Sequence, residues 1–228
     1  MKLQTMITST VLAAAVLMSG CANKEMVEKK HSGFLKSYEG LEEDKKYEGT
    51  LTRIMPGADI SKYQNIIVSP IQIMSGLSEQ EKTPQQKKLF QDISDYLTQG
   101  YKDALSKNTA LNVVETEGPG TMKLEAAISA VEVHYDDLSW YQFIPISLAA
   151  TGVARATFVD GNARILGEAR LIDSQTGDIL VRTVSLQKGE EVKTDKDHLT
   201  FEDVKPGLDA WLKRTNDRIS ELKKSTNK

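Results

Sequence analysis

The chain has 228 residues, 39% hydrophobic and 27% charged, with 29 Lys and Arg against 32 Asp and Glu. That is enough apolar material for one packed core of ordinary size. A formal net charge of −3 without a long basic run gives no electrostatic basis for nucleic-acid binding, and one cysteine cannot build an intramolecular disulfide framework.

Met1-Lys2 opens the chain with a short positive region. Residues 7–18, ITSTVLAAAVLM, are apolar apart from small hydroxyl residues, and Ser19-Gly20 lead into Cys21. Charge, short apolar core and small-residue exit are the pattern of a secretory signal over residues 1–20. The run falls short of the ~20 apolar residues that cross a bilayer as a helix. LMSGCAN (17–23) resembles a bacterial lipobox, with Met18 standing where leucine is commonest. The resemblance implies cleavage before Cys21, a diacylglycerol on its sulfur and an acyl group on the new amine. The alternative is an ordinary signal peptide with a cysteine nearby. One acyl chain holds a membrane marginally and two or more hold it firmly, so a lipidated Cys21 makes the membrane the first expected partner. Ala22 and Asn23 resemble sorting signals that lead to the outer membrane, giving an expected address on that membrane, facing the periplasm. A modified Cys21 leaves no thiol for redox or metal chemistry.

Residues 21–49 are rich in charges of both signs and read as an acylated N-terminus followed by a solvated tether. As a coil of ~5–6 Å × √n, such a tether reaches about 30 Å. Phe34, Leu35, Tyr38 and Leu41 inside it are spaced as one helical face after a Ser32 cap, which predicts a short helix docking onto the domain that follows.

Residues 50–228 read as a single α+β domain. YQNIIVSPIQI (63–73) has the β-branched density of a buried strand, with Pro70 at its end or at a bulge. Thr83-Pro84-Gln85-Gln86 predicts a capping box, and Leu89, Ile93, Tyr96, Leu97, Tyr101, Ala104 and Leu105 then form one helical stripe down to Asn108. LNVVET (111–116) is a short strand and EGPG (117–120) a turn. Alternation from Met122 to Ala130 then shifts phase at 130–131, which predicts a bulge. Residues 163–187 alternate on both sides of Asp173-Ser-Gln-Thr-Gly-Asp178, a hairpin with Gly177 in the left-handed position. A last amphipathic helix starts near Asp203, with Pro206 in its first turn. The predicted order β-α-β-β-β-β-α gives a mixed sheet of about five strands with two main helices on one face.

SGFLKSYEGL (32–41), YQNIIVSPIQI (63–73), NVVETEGPGTMKLEAAIS (112–129) and EARLIDSQTGDIL (168–180) resemble a family of uncharacterised bacterial lipoproteins. The element order is more distantly similar to periplasmic domains of the TolB N-terminal and curli-secretion lipoprotein type. These are folding motifs, and fold alone assigns no function.

The three histidines, His31, His134 and His198, are scattered, and there is no HExxH, GxSxG, phosphate loop or GxGxxG. No enzyme activity, cofactor or metal is expected; the turn explains Asp173 and Asp178 without a cation. If an envelope hydrolase were hidden here, His134, Asp136 and Asp137 would be its first residues. The remaining candidate is the uncharged stretch 143–154 with the aromatics before it. Trp140, Tyr141, Phe143, Ile144, Ile146 and Leu148 either fold over the sheet or form a patch for an envelope partner or a second copy. The expected role is therefore a non-enzymatic binding or accessory domain in the envelope. The alternative is a subunit of an oligomeric secretion-type assembly joined through 143–154.

Overall fold

The computed structural model describes residues 32–45, 47, 49–75, 77–134, 143–144, 162–188 and 200–226. Among these, the strands in chain order are β1 (Glu42–Glu43), β2 (Thr50–Ile54), β3 (Asn65–Val68), β4 (Gln72–Ile73), β5 (Asn112–Val113), β6 (Thr121–His134), β7 (Phe143–Ile144), β8 (Asn162–Asp173) and β9 (Ile179–Lys188). Helix α1 (Pro84–Asn108) lies between β4 and β5, and α2 (Phe201–Thr226) follows β9. The nine strands form one sheet in the order β1-β2-β9-β8-β6-β3-β5, with β4 and β7 also laid on β6.

β6 is the spine. It pairs antiparallel with β8 along nearly its whole length and parallel with β3 and β4 on its other edge. Parallel neighbours need a crossover, and α1 supplies it. The helix starts where its capping box dictates: Gln86 N–H donates to Thr83 Oγ1 (3.2 Å) and Thr83 N–H to Gln86 Oε1 (2.8 Å). Its buried stripe of Leu89, Phe90, Ile93 and Leu97 meets Ala126 and Ile128 of β6. Side chains buried as deeply as Leu97 contribute about 1.5–3 kcal/mol each.

α2 covers the same face. Trp211 lies on Gly167 of β8, where an added Cβ would collide with the indole ring, and Gly100 of α1 gives way in the same manner to Leu212. The contacts Tyr96–Asp209, Trp211 Nε1–H to Tyr101 Oη (3.1 Å) and Asn108 Nδ2–H to Asn216 Oδ1 (2.6 Å) advance together along both helices, which therefore run in the same direction.

The class and the one-sided placement of both helices agree with the sequence reading, but the sheet is larger. Thr50–Ile54 forms β2, paired with β9, and β1 adds a short edge outside it. Pro70 splits the first predicted strand into β3 and β4, both seated on β6. The β6 bulge falls between Ile128 and Ala130, just before the phase change seen in the sequence, and the 111–116 strand pairs only over Asn112–Val113. α2 begins at Phe201, so Pro206 lies in its second turn.

The larger correction concerns the tether. Residues 32–41 form turns rather than a helix, with Gly33 and Gly40 at φ 83 and 70 and Lys36 at φ 60. Those left-handed positions interrupt any helical repeat. The segment nonetheless packs, burying Phe34, Leu35 and Leu41 against Leu51, Ala127, Leu166 and Val184 on the face away from the helices. The packed chain thus begins well before residue 50.

Candidate functional site

Two places on this frame have the character of a site, one on each face of the sheet. On the N-terminal side, β8 turns Leu166, Glu168 and Arg170 toward residues 32–41, and β9 contributes Arg182 and Val184. Glu168 is 1% exposed. Its Oε1 accepts from Ser32 N–H (3.0 Å) and its Oε2 from the Tyr38 hydroxyl, whose oxygen in turn accepts from Gly33 N–H (3.1 Å). Burial, then the bond to Glu168, pushes the Tyr38 phenol up to about 12.

Arg170 and Arg182 stand opposite each other on β8 and β9, an arrangement that repels unless each charge has another partner. Arg170 has Glu125 (Nη2–Oε2 2.6 Å) and lies over the Phe34 ring. Arg182, 5% exposed, donates to the carbonyls of Ser37 and Glu39, and Arg53 Nη1 donates to the same Glu39 oxygen (3.1 Å). A buried carboxylate and a buried guanidinium thus both spend their hydrogen bonds on the segment that leads back toward Cys21. The arrangement is a clasp on the N-terminal segment.

The second place lies under the helices. A cavity of about 420 Å³ runs between α1, α2 and strands β6, β8 and β9. The floor is low because the helix-facing residues beneath α2 are small: Gly167 and Ala169 on β8, Thr183 and Ser185 on β9. Leu124, Ala169, Leu171 and Val181 face the helices from central strands and yet are only half-buried, since they face this space. Its volume lies within the ~300–1,000 Å³ of small-molecule sites, which are mostly apolar with a few placed polar groups. Those groups sit at one end, where Arg218 Nη1 donates to Ser185 Oγ (3.3 Å) and its guanidinium lies 4.7 Å over the Tyr47 ring.

Of the residues singled out in the sequence, Cys21, Trp140, Tyr141, Ile146 and Leu148 lie outside the described residues, as do His31, Asp136, Asp137 and His198. Phe143 and Ile144 form β7, paired with Glu132 and Val131 of β6, and His134 ends β6 opposite Asn162. Asp173 is fully engaged in its hairpin: Oδ1 accepts from the N–H groups of Gln175 (2.8 Å) and Thr176 (3.0 Å), and Oδ2 from Tyr63 Oη (2.7 Å). The Thr176 N–H, then Tyr63, hold its carboxyl below the usual range. Burial, then Asp173, pushes the Tyr63 phenol up to about 12. Among the described residues no group of three His, Cys, Asp or Glu converges as a metal site, and no helix is long and apolar enough to cross a membrane.

Glu168, Arg182 and Arg218 were not singled out in the sequence. The signal for the first two is a charged residue in phase with buried apolar ones, Glu168 with Leu166 and Arg182 with Val184. Arg218 lies on the same helix face as Trp211 and Thr215.

The class defined by this geometry is an α+β sheet domain, closed by two helices over an apolar cavity on one face and by its own N-terminal segment on the other. The chain belongs to the family described as protein of unknown function DUF3313, whose profile matches residues 30–215. That match opens two residues before the clasp. The chain is 28% identical over 201 residues to the Uncharacterized lipoprotein YdcL of Escherichia coli (strain K12), covering 87% of this chain and 89% of the relative. The YdcL of Escherichia coli O157:H7 matches to the same extent. Among solved structures, the chain is similar to the PelC dodecamer from Paraburkholderia phytofirmans (12% identity, 76% of this chain, 94% of that chain, TM-score 0.40). It is also similar to protein XCC0632 from Xanthomonas campestris, of family DUF330 (15% identity, 72% and 86%, TM-score 0.37).

Proposed function

We propose that the protein is an envelope lipoprotein, anchored through Cys21 to the outer membrane on its periplasmic side, whose folded domain works by binding rather than by chemistry. The observation that carries the reading is the division of labour between the two faces. The buried ionisable groups Glu168 and Arg182 are committed to the N-terminal segment, while the cavity on the helix face is apolar with polarity at one end. A relative that bears the name lipoprotein along nearly its whole length supports the anchored part of the reading. The clasp shortens the leash. Ten residues separate Cys21 from Ser32, which bounds the docked segment to within about 40 Å of the acylated end at ~3.3–3.6 Å per residue, against a bound of about 100 Å had the whole of 22–49 been free.

The test is fractionation combined with metabolic labelling by a fatty acid. The native chain is expected in the membrane fraction carrying label. Cys21→Ser is expected to lose the label and to leave that fraction, because a marginal or absent acyl contribution cannot hold a mildly acidic domain there. A Cys21→Ser chain that stays with the membrane as before would overturn the anchor.

A further inference from the structure

The cavity's shape and its single polar end narrow its ligand, given that the domain works by binding. Val181 and Ser185 of β9 both line it, as do Gly167 and Leu171 of β8, so it extends along the strands for about 13 Å at ~3.3 Å per residue. At the Leu171–Val181 end the walls are mostly aliphatic, and the Thr109 hydroxyl there is already engaged with the Leu105 carbonyl and the Leu111 N–H. At the other end are the hydroxyls of Thr215 and Ser185 and the guanidinium of Arg218. Among the described residues no carboxylate pairs with Arg218; its partners are Ser185 Oγ and the Tyr47 ring, neither of which neutralises it. The nearest buried carboxylate on β8, Glu168, turns its side chain to the opposite face, toward Ser32 and Tyr38. An elongated apolar bore closed by one uncompensated cation complements a molecule that is apolar along its length and anionic at one end.

We propose that this cavity binds a single alkyl chain bearing an anionic head, with the chain lying along β8 and β9 beneath α2 and the head on Arg218. Recognition is divided between the two ends. The small floor residues Gly167, Ala169 and Thr183 set the room for the chain, and Arg218 selects a carboxylate or phosphate over a neutral head.

Trp211 lines the cavity and reports directly on its contents. The experiment uses the full chain carrying Cys21→Ser, so that no detergent is needed, and Trp140→Phe, so that Trp211 is the only indole. Dodecanoate brominated at C2, beside its head, is titrated below its micellar range and Trp211 quenching is followed, because Trp211 lies over Gly167, opposite Ser185 and thus at the head end. Saturable quenching is expected, with the brominated alcohol of the same length binding about tenfold more weakly for lack of the charge-assisted contact. Arg218→Gln is expected to reduce the acid to the level of the alcohol, and Arg218→Lys to restore most of the difference. Ala169→Leu fills the floor and is expected to weaken both ligands at least tenfold, with its thermal midpoint checked against the parent. Absence of saturable quenching overturns the proposal, as does undiminished quenching in a folded Ala169→Leu chain. Equal binding of acid and alcohol overturns the anionic head. A dodecyl phosphate arm tells a phosphate preference from a carboxylate one. None of these outcomes depends on whether Cys21 is acylated, so failure here and failure of the anchor are read separately.

Discussion

The two faces of strand β8 are built from alternate residues of one segment and solve opposite problems. Glu168 and Arg170 point to a face where the covering element is only a run of turns, too short to exclude water by bulk alone, and hydrogen bonds fasten it down. Gly167, Ala169 and Leu171 point to a face covered by two long helices, where apolar area supplies the cohesion and the smallness of the side chains leaves a cavity. A thin cover needs directional bonds; a thick one tolerates a hole. Polar burial here therefore marks attachment, and apolar burial is left with unfilled volume.

The comparison breaks most severely at Glu168. Glu168→Ala removes a buried acceptor and leaves the Ser32 N–H and the Tyr38 hydroxyl without it, each a group whose desolvation is no longer compensated. The expected loss is about 2–4 kcal/mol, measured by urea denaturation, together with faster proteolysis within 32–41. A loss below about 1 kcal/mol would show that the clasp is not fastened by this carboxylate. On the other face the corresponding break is Gly167→Ala. The new Cβ would run into the Trp211 ring, and α2 must lift or the indole must turn. A cost of about 1–3 kcal/mol is expected, with a changed Trp211 emission maximum. Because the cavity lies beside the indole, the helix face has room to yield, and this effect should be the smaller of the two.

The parts of this arrangement that were legible in the sequence are those decided within a few residues. The Thr83–Gln86 capping box, the Asp173–Asp178 hairpin with Gly177 at φ 75 and the α1 stripe are local, and they stand where the pattern puts them. The clasp was half legible. Phe34, Leu35, Tyr38 and Leu41 announce an apolar island, but their helical spacing misleads because Gly33, Lys36 and Gly40 are left-handed. What holds the island in place is Glu168, 136 positions from Ser32, and a charged residue in an alternating strand ordinarily reads as solvent-facing. β2 was hidden for a related reason: TLTRI is too short to declare itself, and its ladder partner β9 lies at the other end of the chain. The cavity was invisible, because small residues at 167, 169, 183 and 185 describe a void only once α2 is known to cross above them.

The mildest probe sharpens the contrast through the phenol of Tyr38. Its folded pKa is raised to about 12, by burial and then by Glu168, above the ~10 of an unfolded tyrosine. Folding therefore favours the protonated form: the contribution is fully present below pH ~10 and is lost as pH rises through about 12, where a phenolate would face the Glu168 carboxylate. Tyr63 beside Asp173 is raised to the same range, so the wild-type chain should lose thermal stability across this window from two places at once. Tyr38→Phe removes one of them, at a neutral-pH cost of about 0.5–1.5 kcal/mol for the lost hydrogen bond. Its melting temperature, lower than wild type at pH 8, should approach the wild-type value as pH climbs past 10. Curves that stay parallel to pH 12 would mean that the Tyr38 phenol titrates alike in the folded and the unfolded chain, and that the polar face is closed by its apolar island of Phe34, Leu35 and Leu41 in the same manner as the helix face.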